Sequence, residues 1–240
     1  MPTLAGMLQA GLFDGLQRTN NALVQFGRRL YPLYESDPTK AGREFLRAIR
    51  IPRDRYKEYI KGEHLNPGSS AGLVTEWFLF HVIDEAIKAL GPTDTYRKTV
   101  HNSYDLPYKW AKGVSRHSDE RSHKQTRIDI AVKSENPTRL LYCIEVKTNF
   151  EDGFPKYCRE WKPIHHHREK SYKQFRYHYV SLKGIPAIMM EKYKRRIKVL
   201  EKRGEMWLFP KDEPEGKDAV DRGERFLRAL YEPLKYSGRD

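Results

Sequence analysis

The chain has 240 residues, enough to bury a sizeable core, and its two cysteines, Cys143 and Cys158, are too few to form a disulfide scaffold. Lys and Arg number 45 against 32 Asp and Glu, which gives a formal charge of +13 and favours a polyanionic partner. Residues 1–13 lack the basic start and unbroken apolar run of a signal peptide, and no membrane span is evident. The sequence therefore predicts a protein of the reducing cytoplasm with no membrane partner.

The first part of the chain is predicted to be helical. Leucines recur through residues 4–30 with polar residues between them, and a second helix is predicted over residues 39–51, ending before Pro52. Such helices pack on a core or form a partner surface. We assign residues 1–66 to a helical N-terminal region and residues 67–240 to a core.

The segment Gly72–Leu90 carries the strongest helical pattern in the sequence. Its apolar stripe comprises Leu79, Phe80, Ile83, Ile87 and Leu90. Glu76 falls on the same stripe, and a glutamate on a core-facing stripe needs a partner. It is either part of a polar site or a first-turn glutamate favoured by the helix dipole. Beyond this helix the pattern is weak, and residues 99–104 or 112–117 are the candidates for the first strand.

Residues 126–150 contain two short apolar runs that each carry a carboxylate. Ile128, Ile130 and Val132 alternate with Asp129 in the first run, and Ile144 and Val146 alternate with Glu145 and Lys147 in the second. Side chains alternate between the two faces of a strand, so Asp129, Glu145 and Lys147 are predicted to point away from the isoleucine face. Turn-forming residues between the runs predict a hairpin. Folding it about Asn136 places Asp129 opposite Cys143 and diagonal to Glu145.

Two acids and a lysine on one buried face are costly unless their charges compensate or a metal takes part. Paired carboxylate oxygens suit a hard cation such as Mg²⁺. This set, Asp129 followed by Glu145-Val146-Lys147, resembles the PD-(D/E)XK nuclease superfamily, which includes many type II restriction endonucleases. Ile128 stands where the family name has proline.

The resemblance implies a magnesium-dependent phosphodiesterase. By this resemblance, Asp129 and Glu145 would bind the metal, the Val146 carbonyl would add a ligand, and Lys147 would assist the nucleophilic water. The helix before the sheet often supplies a further acid, and Glu76 holds the matching position. A solvated strand face bearing a Glu-x-Lys pair is the alternative for Glu145 and Lys147.

The segment from residue 156 to residue 203 concentrates the positive charge, with 15 Lys or Arg and 4 Asp or Glu among several aromatic residues. Basic residues interleaved with aromatic ones suit phosphate contact with stacking or groove packing. We predict a helix whose buried stripe holds Tyr172, Phe175, Tyr179 and Leu182. The predicted DNA-binding residues are Lys170, Lys173, Arg176 and Tyr177, and the alternative is an ordinary solvated helix face.

The remaining elements complete a predicted α/β fold. They are a short strand at residues 185–190, a helix at 192–203, a strand at 205–209 and a last helix at 218–234. The order helix, strands, helix, strand predicts a restriction-endonuclease-like core, with a mixed β-sheet flanked by helices and a helical N-terminal extension.

The function predicted from the sequence is a type II restriction endonuclease that cleaves double-stranded DNA as a homodimer. Residues 1–66 would then serve dimerisation or DNA contact. One alternative is a structure-specific repair or recombination nuclease of the same fold, and another is a non-catalytic nucleic-acid-binding protein.

Overall fold

The computed structural model describes residues 3–11, 16–51, 67–91, 98–105, 127–135, 138–147, 150–166 and 171–235. The helices are α1 (Leu4–Gly11), α2 (Leu16–Ser36), α3 (Pro38–Arg50), α4 (Pro67–Leu90), α5 (Phe150–His166), α6 (Ala187–Lys202) and α7 (Lys217–Tyr231), followed by a 3₁₀ turn at Glu232–Lys235. The strands are β1 (Lys98–Asp105), β2 (Arg127–Glu135), β3 (Thr138–Lys147), β4 (Ser171–Ser181) and β5 (Met206–Leu208).

The strands form one mixed sheet in the order β1-β2-β3-β4-β5. The first three strands are antiparallel neighbours, whereas β4 and β5 run parallel to β3. The predicted α/β class with a mixed sheet is confirmed. Strand β1 matches the first of the two candidate positions, and residues 112–117 lie outside the described residues.

Helices pack on both faces of this sheet. One core joins α1, α2, α3, α4 and α7 to the strand face that carries Ile130, Val132 and Ile144. The second core lies on the opposite face, where α5 and α6 cover Cys143, Tyr177 and Tyr179. Burial on both faces explains why residues 140–144 read as an almost continuous apolar run.

The N-terminal helices belong to the core. Leu8, Leu23 and Leu30 are at most 1% exposed, and they share the first core with the sheet. Helix α3 begins at Pro38 after the cap Asp37, whose side chain accepts a hydrogen bond from the Lys40 amide. Of the two alternatives for these helices, packing on a core is the one that describes these leucines, because other helices of the same chain bury them.

The segment predicted as a basic helix is strand β4. Alternate residues Phe175, Tyr177 and Tyr179 belong to the core beneath α5, and Val180 belongs to the core on the other face. Aromatic residues at spacings of three and four imitated a helical stripe, but the side chains alternate with the period of a strand.

The short strand predicted at residues 185–190 is also wrong, because α6 begins at Ala187. The fixed backbone of Pro186 suits a helix start, and its carbonyl accepts hydrogen bonds from the amides of Met189 and Met190. Within the described ranges, no helix is long and apolar enough to cross a membrane.

Candidate active site

The register of the hairpin places the two acids directly across from each other. Ile130 pairs with Ile144 and Ala131 with Cys143, so one step further along the ladder Asp129 faces Glu145. The predicted partner, Cys143, is wrong by two positions. One comes from the hairpin end, where Glu135 pairs with Thr138 and the register already differs by one from a fold about Asn136, and the other from an irregularity between Val132 and Lys133. The shift brings the carboxylates closer than the simple fold about Asn136 implies.

Lys147 joins the two carboxylates. Its ammonium lies 2.7 Å from Glu145 Oε1 and 3.3 Å from Asp129 Oδ2. The backbone amide of Val146 also donates to Asp129 Oδ2, over 2.7 Å. The three predicted residues therefore lie together on the face opposite the Ile130 and Ile144 core, and one cationic group already sits between both acids.

Burial and like charge set the proton affinities of this group. Desolvation, followed by the charge of Glu145, raises the pKa of Asp129 to about 6. Desolvation acts to lower the pKa of Lys147, but the charges of Glu145 and Asp129 outweigh it, so that pKa is raised. Lys147 is thus held as an ammonium, whereas the Asp129 carboxyl keeps its proton to a higher pH than an ordinary aspartate does.

Helix α5 covers the site and approaches it closely at Gly153. A Cβ atom built at Gly153 would lie 2.5 Å from Lys147 Cδ and 3.0 Å from Lys147 Cβ. Both separations are shorter than van der Waals contact, so only glycine leaves room for the Lys147 side chain in its observed position. The helix therefore fixes the path along which Lys147 reaches the carboxylates.

A second polar group adjoins Glu145 on the side of α5. The Tyr177 hydroxyl lies 3.3 Å from Glu145 Oε2 and 3.4 Å from Glu160 Oε2, within reach of either carboxylate. Lys156 Nζ lies 3.7 Å from Glu145 and 3.9 Å from Glu160. Desolvation raises the pKa of Glu160 to about 7. Sequence reasoning missed Lys156 and Glu160 because it predicted no helix over residues 150–166, and their spacing of four brings side chains together only on a helix.

The structure does not bring Glu76 into a three-acid group. Buried residues of α4 such as Phe78, Leu79 and Val82 pack in the core on the isoleucine face, and Glu76 is partly exposed. In the part of the chain that the structure describes, no set of three or more His, Cys, Asp or Glu side chains is arranged to hold a metal. A metal-binding role for Glu76 stays a prediction.

The predicted DNA-binding residues separate into different environments. Lys173 is exposed, and Arg176 is partly exposed with its guanidinium donating to the carbonyls of Gln174, Phe175 and Arg203. Tyr177 is 0% exposed, so a contact between its ring and DNA is ruled out by burial. Lys170 lies outside the described residues.

The donor set fits Mg²⁺ better than Zn²⁺. Two carboxylates converge on one cationic centre, and Mg²⁺ takes one or two protein carboxylates while keeping several waters. A structural zinc site would need four protein ligands of the Cys or His type. Both carboxylates reach the single Lys147 ammonium, so their oxygens lie close enough together to share one cation.

Comparison of the chain with protein-family models, curated proteins and solved structures finds no match.

The raised pKa of Asp129 predicts how stability depends on pH without divalent ions. The folded pKa, about 6, exceeds the ordinary value of 3.8, so the folded chain holds this proton more tightly and loses stability as pH rises from about 4 to about 6. The free energy of unfolding of Asp129→Asn minus that of the wild type should therefore increase over this range, on the order of 2 kcal/mol. Urea unfolding in EDTA at pH 4.5 and pH 8 measures it. Equal differences at both pH values would contradict the prediction.

Proposed function

We propose that this chain is a magnesium-dependent endodeoxyribonuclease with a restriction-endonuclease-like core. The observation that carries the proposal is the Lys147 ammonium lying between the carboxylates of Asp129 and Glu145. These three residues are the ones that the resemblance singled out in the sequence. A solvated strand face does not account for them, because Glu145 is fully buried and Lys147 contacts both acids.

The order of elements adds support. Helix α4 precedes three antiparallel strands, and α5 then leads to β4, which is parallel to β3. This is the helix, strands, helix, strand order predicted for the nuclease core. The acids lie on neighbouring central strands, where the sheet holds their backbones rigidly.

The residues have separate roles in the proposed hydrolysis. Asp129 and Glu145 would hold Mg²⁺, with the Val146 carbonyl as the further ligand that the resemblance implies. The bound ion supplies a positive charge that polarises a phosphate and lowers the pKa of a water. The Val146 amide fixes the carboxylate of Asp129, and Lys147 offers an ammonium that can orient a water or neutralise charge on the phosphate.

The surface that contacts DNA is proposed to include α6. Lys192, Lys194, Arg195, Lys198 and Lys202 are exposed on this helix. The exposed large apolar side chains of the described ranges, Ile188, Met190 and Val199, lie on it as well. Buried Met189, Ile197 and Leu200 attach α6 to the core beneath α5, so its cations stand on the same side of the sheet as the catalytic acids.

Charge reversal tests this surface. Lys194→Glu and Lys173→Glu should each weaken binding to duplex DNA and flatten its salt dependence, since each lost phosphate contact removes about 0.9 from the log–log slope. Lys40→Glu, at an exposed position on α3, is the matched control and should retain more of the slope. Fluorescence anisotropy over a salt series in EDTA measures the slopes. Equal slopes for all three variants would place the DNA surface elsewhere.

Cleavage of plasmid DNA of known sequence with Mg²⁺ tests the function itself. Discrete linear fragments indicate a type II restriction endonuclease, which we take as the leading assignment. A smear or nicking selective for DNA structure indicates a repair or recombination nuclease. Binding without any cleavage, with Asp129→Asn behaving as the wild type, would leave a non-catalytic DNA-binding protein and contradict the proposal.

We further propose that the active form on DNA is a homodimer. One site attacks one phosphodiester, and two copies related by the two-fold axis of a symmetric target cut both strands most simply. Sedimentation with cognate DNA and calcium should give two chains per duplex, whereas one 28.4 kDa chain that still makes double-strand breaks would overturn this proposal. Deleting residues 1–50 cannot serve as the test, because α1 to α3 form part of the core.

A further inference from the structure

A lysine that the sequence analysis did not single out lies at the edge of the acidic group. Lys156 stands on α5 one turn before Glu160, and its side chain is 46% exposed, whereas Glu145 is fully buried and the Glu160 side chain is 7% exposed. Its ammonium is therefore placed between the buried acids and solvent. A group arriving from solution would meet it beside Glu145.

The distances differ from those of a pairing lysine. Lys147 approaches Glu145 to 2.7 Å, a charge-assisted hydrogen bond, but Lys156 remains 3.7 Å from Glu145 and 3.9 Å from Glu160. Both separations exceed hydrogen-bond length. Within the described ranges, these carboxylates attract the Lys156 ammonium without using its hydrogen-bond donors, so the donors stay available to another acceptor.

We propose that Lys156 is a phosphate-binding residue of the active site, whose ammonium contacts a non-bridging oxygen of the DNA backbone beside Glu145. This inference rests on the proposed nuclease function. Glu160 and the Tyr177 hydroxyl are positioning groups, because they hold a second acidic centre next to Glu145 and keep the ammonium over the site. Lys156 neither gives nor takes a proton in this role.

The charge balance explains why a second lysine is needed. Lys147 contacts both Asp129 and Glu145, so its positive charge is largely offset by these two carboxylates. A phosphodiester carries its own negative charge, and hydrolysis adds charge to the phosphate oxygens. A half-exposed ammonium close to Glu145 can offset that charge, and fixed positive groups of this kind act most strongly where charge develops.

A purely structural role for Lys156 predicts a different result for the variants. A lysine that only compensates Glu160 affects catalysis through the charge of that acid, so Glu160→Gln should then reproduce the effect of Lys156→Ala. A phosphate contact belongs to Lys156 alone, and arginine should partly replace it, since both side chains carry a positive charge and hydrogen-bond donors.

The test measures single-turnover cleavage of linear plasmid DNA at saturating Mg²⁺ and the salt slope for binding a short duplex in EDTA. Lys156→Ala should cut about 100-fold more slowly than the wild type, with Lys156→Arg recovering part of the rate. Its binding slope should fall by about 0.9, whereas the control Lys40→Ala changes neither quantity. Thermal melts of all variants show whether they are folded.

The outcomes separate this inference from the proposed function. If the wild type cuts, Asp129→Asn does not, and Lys156→Ala cuts at the wild-type rate, the nuclease proposal stands and the role of Lys156 is overturned. Equal losses in Lys156→Ala and Glu160→Gln with an unchanged slope overturn the phosphate contact. If the wild type does not cut at all, the proposed function and the catalytic part of this inference fail together, and the binding slope alone decides whether Lys156 contacts phosphate.

Discussion

Asp129→Asn and Glu145→Gln should each reduce the rate of DNA cleavage by at least about 1,000-fold, which corresponds to roughly 4 kcal/mol of activation free energy. Both substitutions keep the size of the side chain and remove the charge that a metal ion needs. The Val146 amide donates to a carboxylate oxygen of Asp129, and the amide oxygen of an asparagine can accept the same bond, so the hairpin should keep its register. Single-turnover cleavage of plasmid DNA at several Mg²⁺ concentrations measures the loss.

A second readout does not depend on activity. Mg²⁺ should raise the melting temperature of the wild type, because an ion that binds only the folded chain stabilises it, and the increase should disappear in both variants. DNA affinity in EDTA should remain within a few fold of the wild type. Near wild-type turnover in either variant would contradict the assignment of these acids.

Gly153→Ala should disable the site although it replaces no charged residue. The added methyl group would meet Lys147 along its stem, at Cβ and Cδ, so a change at the tip of the lysine cannot relieve the clash. The ammonium would leave its place between Asp129 and Glu145, and we expect cleavage to fall about 100-fold. Overpacking of this kind typically costs about 1–3 kcal/mol of stability.

The control for Gly153→Ala is a glycine with open space around its Cβ. A methyl group added at Gly184 would meet no atom within 4 Å, so Gly184→Ala should leave cleavage unchanged. The double variant Gly153→Ala with Lys147→Ala should cut no more slowly than Lys147→Ala alone, since the severe clash with Lys147 Cδ is then gone and only the 3.0 Å approach to Cβ remains. A further loss in the double variant would show that Gly153 acts through another contact.

The hairpin and its acids were predictable because their signal is local. Alternation places Asp129, Glu145 and Lys147 on one face whatever surrounds them. Their exact pairing was not predictable, because both the register at Glu135 and Thr138 and the irregularity between Val132 and Lys133 depend on how the strands pack. A shift of this kind leaves no mark in composition.

Strand β4 resembles a helix in sequence for a physical reason. A strand buried on both faces loses the contrast between apolar and polar positions, and the aromatic side chains of residues 172–182 recur at helical spacing.

Lys156 and Glu160 escaped sequence reasoning for another reason. Their role depends on where α5 crosses the sheet, and a spacing of four on a helix does not reveal what lies beneath it.

The position of Lys147 also bears on how the newly synthesised protein folds. The lysine acts as an internal counter-ion that offsets one of the two facing negative charges from the moment the hairpin closes. Folding therefore need not wait for a divalent ion, unlike that of small metal-stabilised domains. We expect the newly synthesised chain to fold in the presence of a chelator and to bind its metal ion only after it has folded.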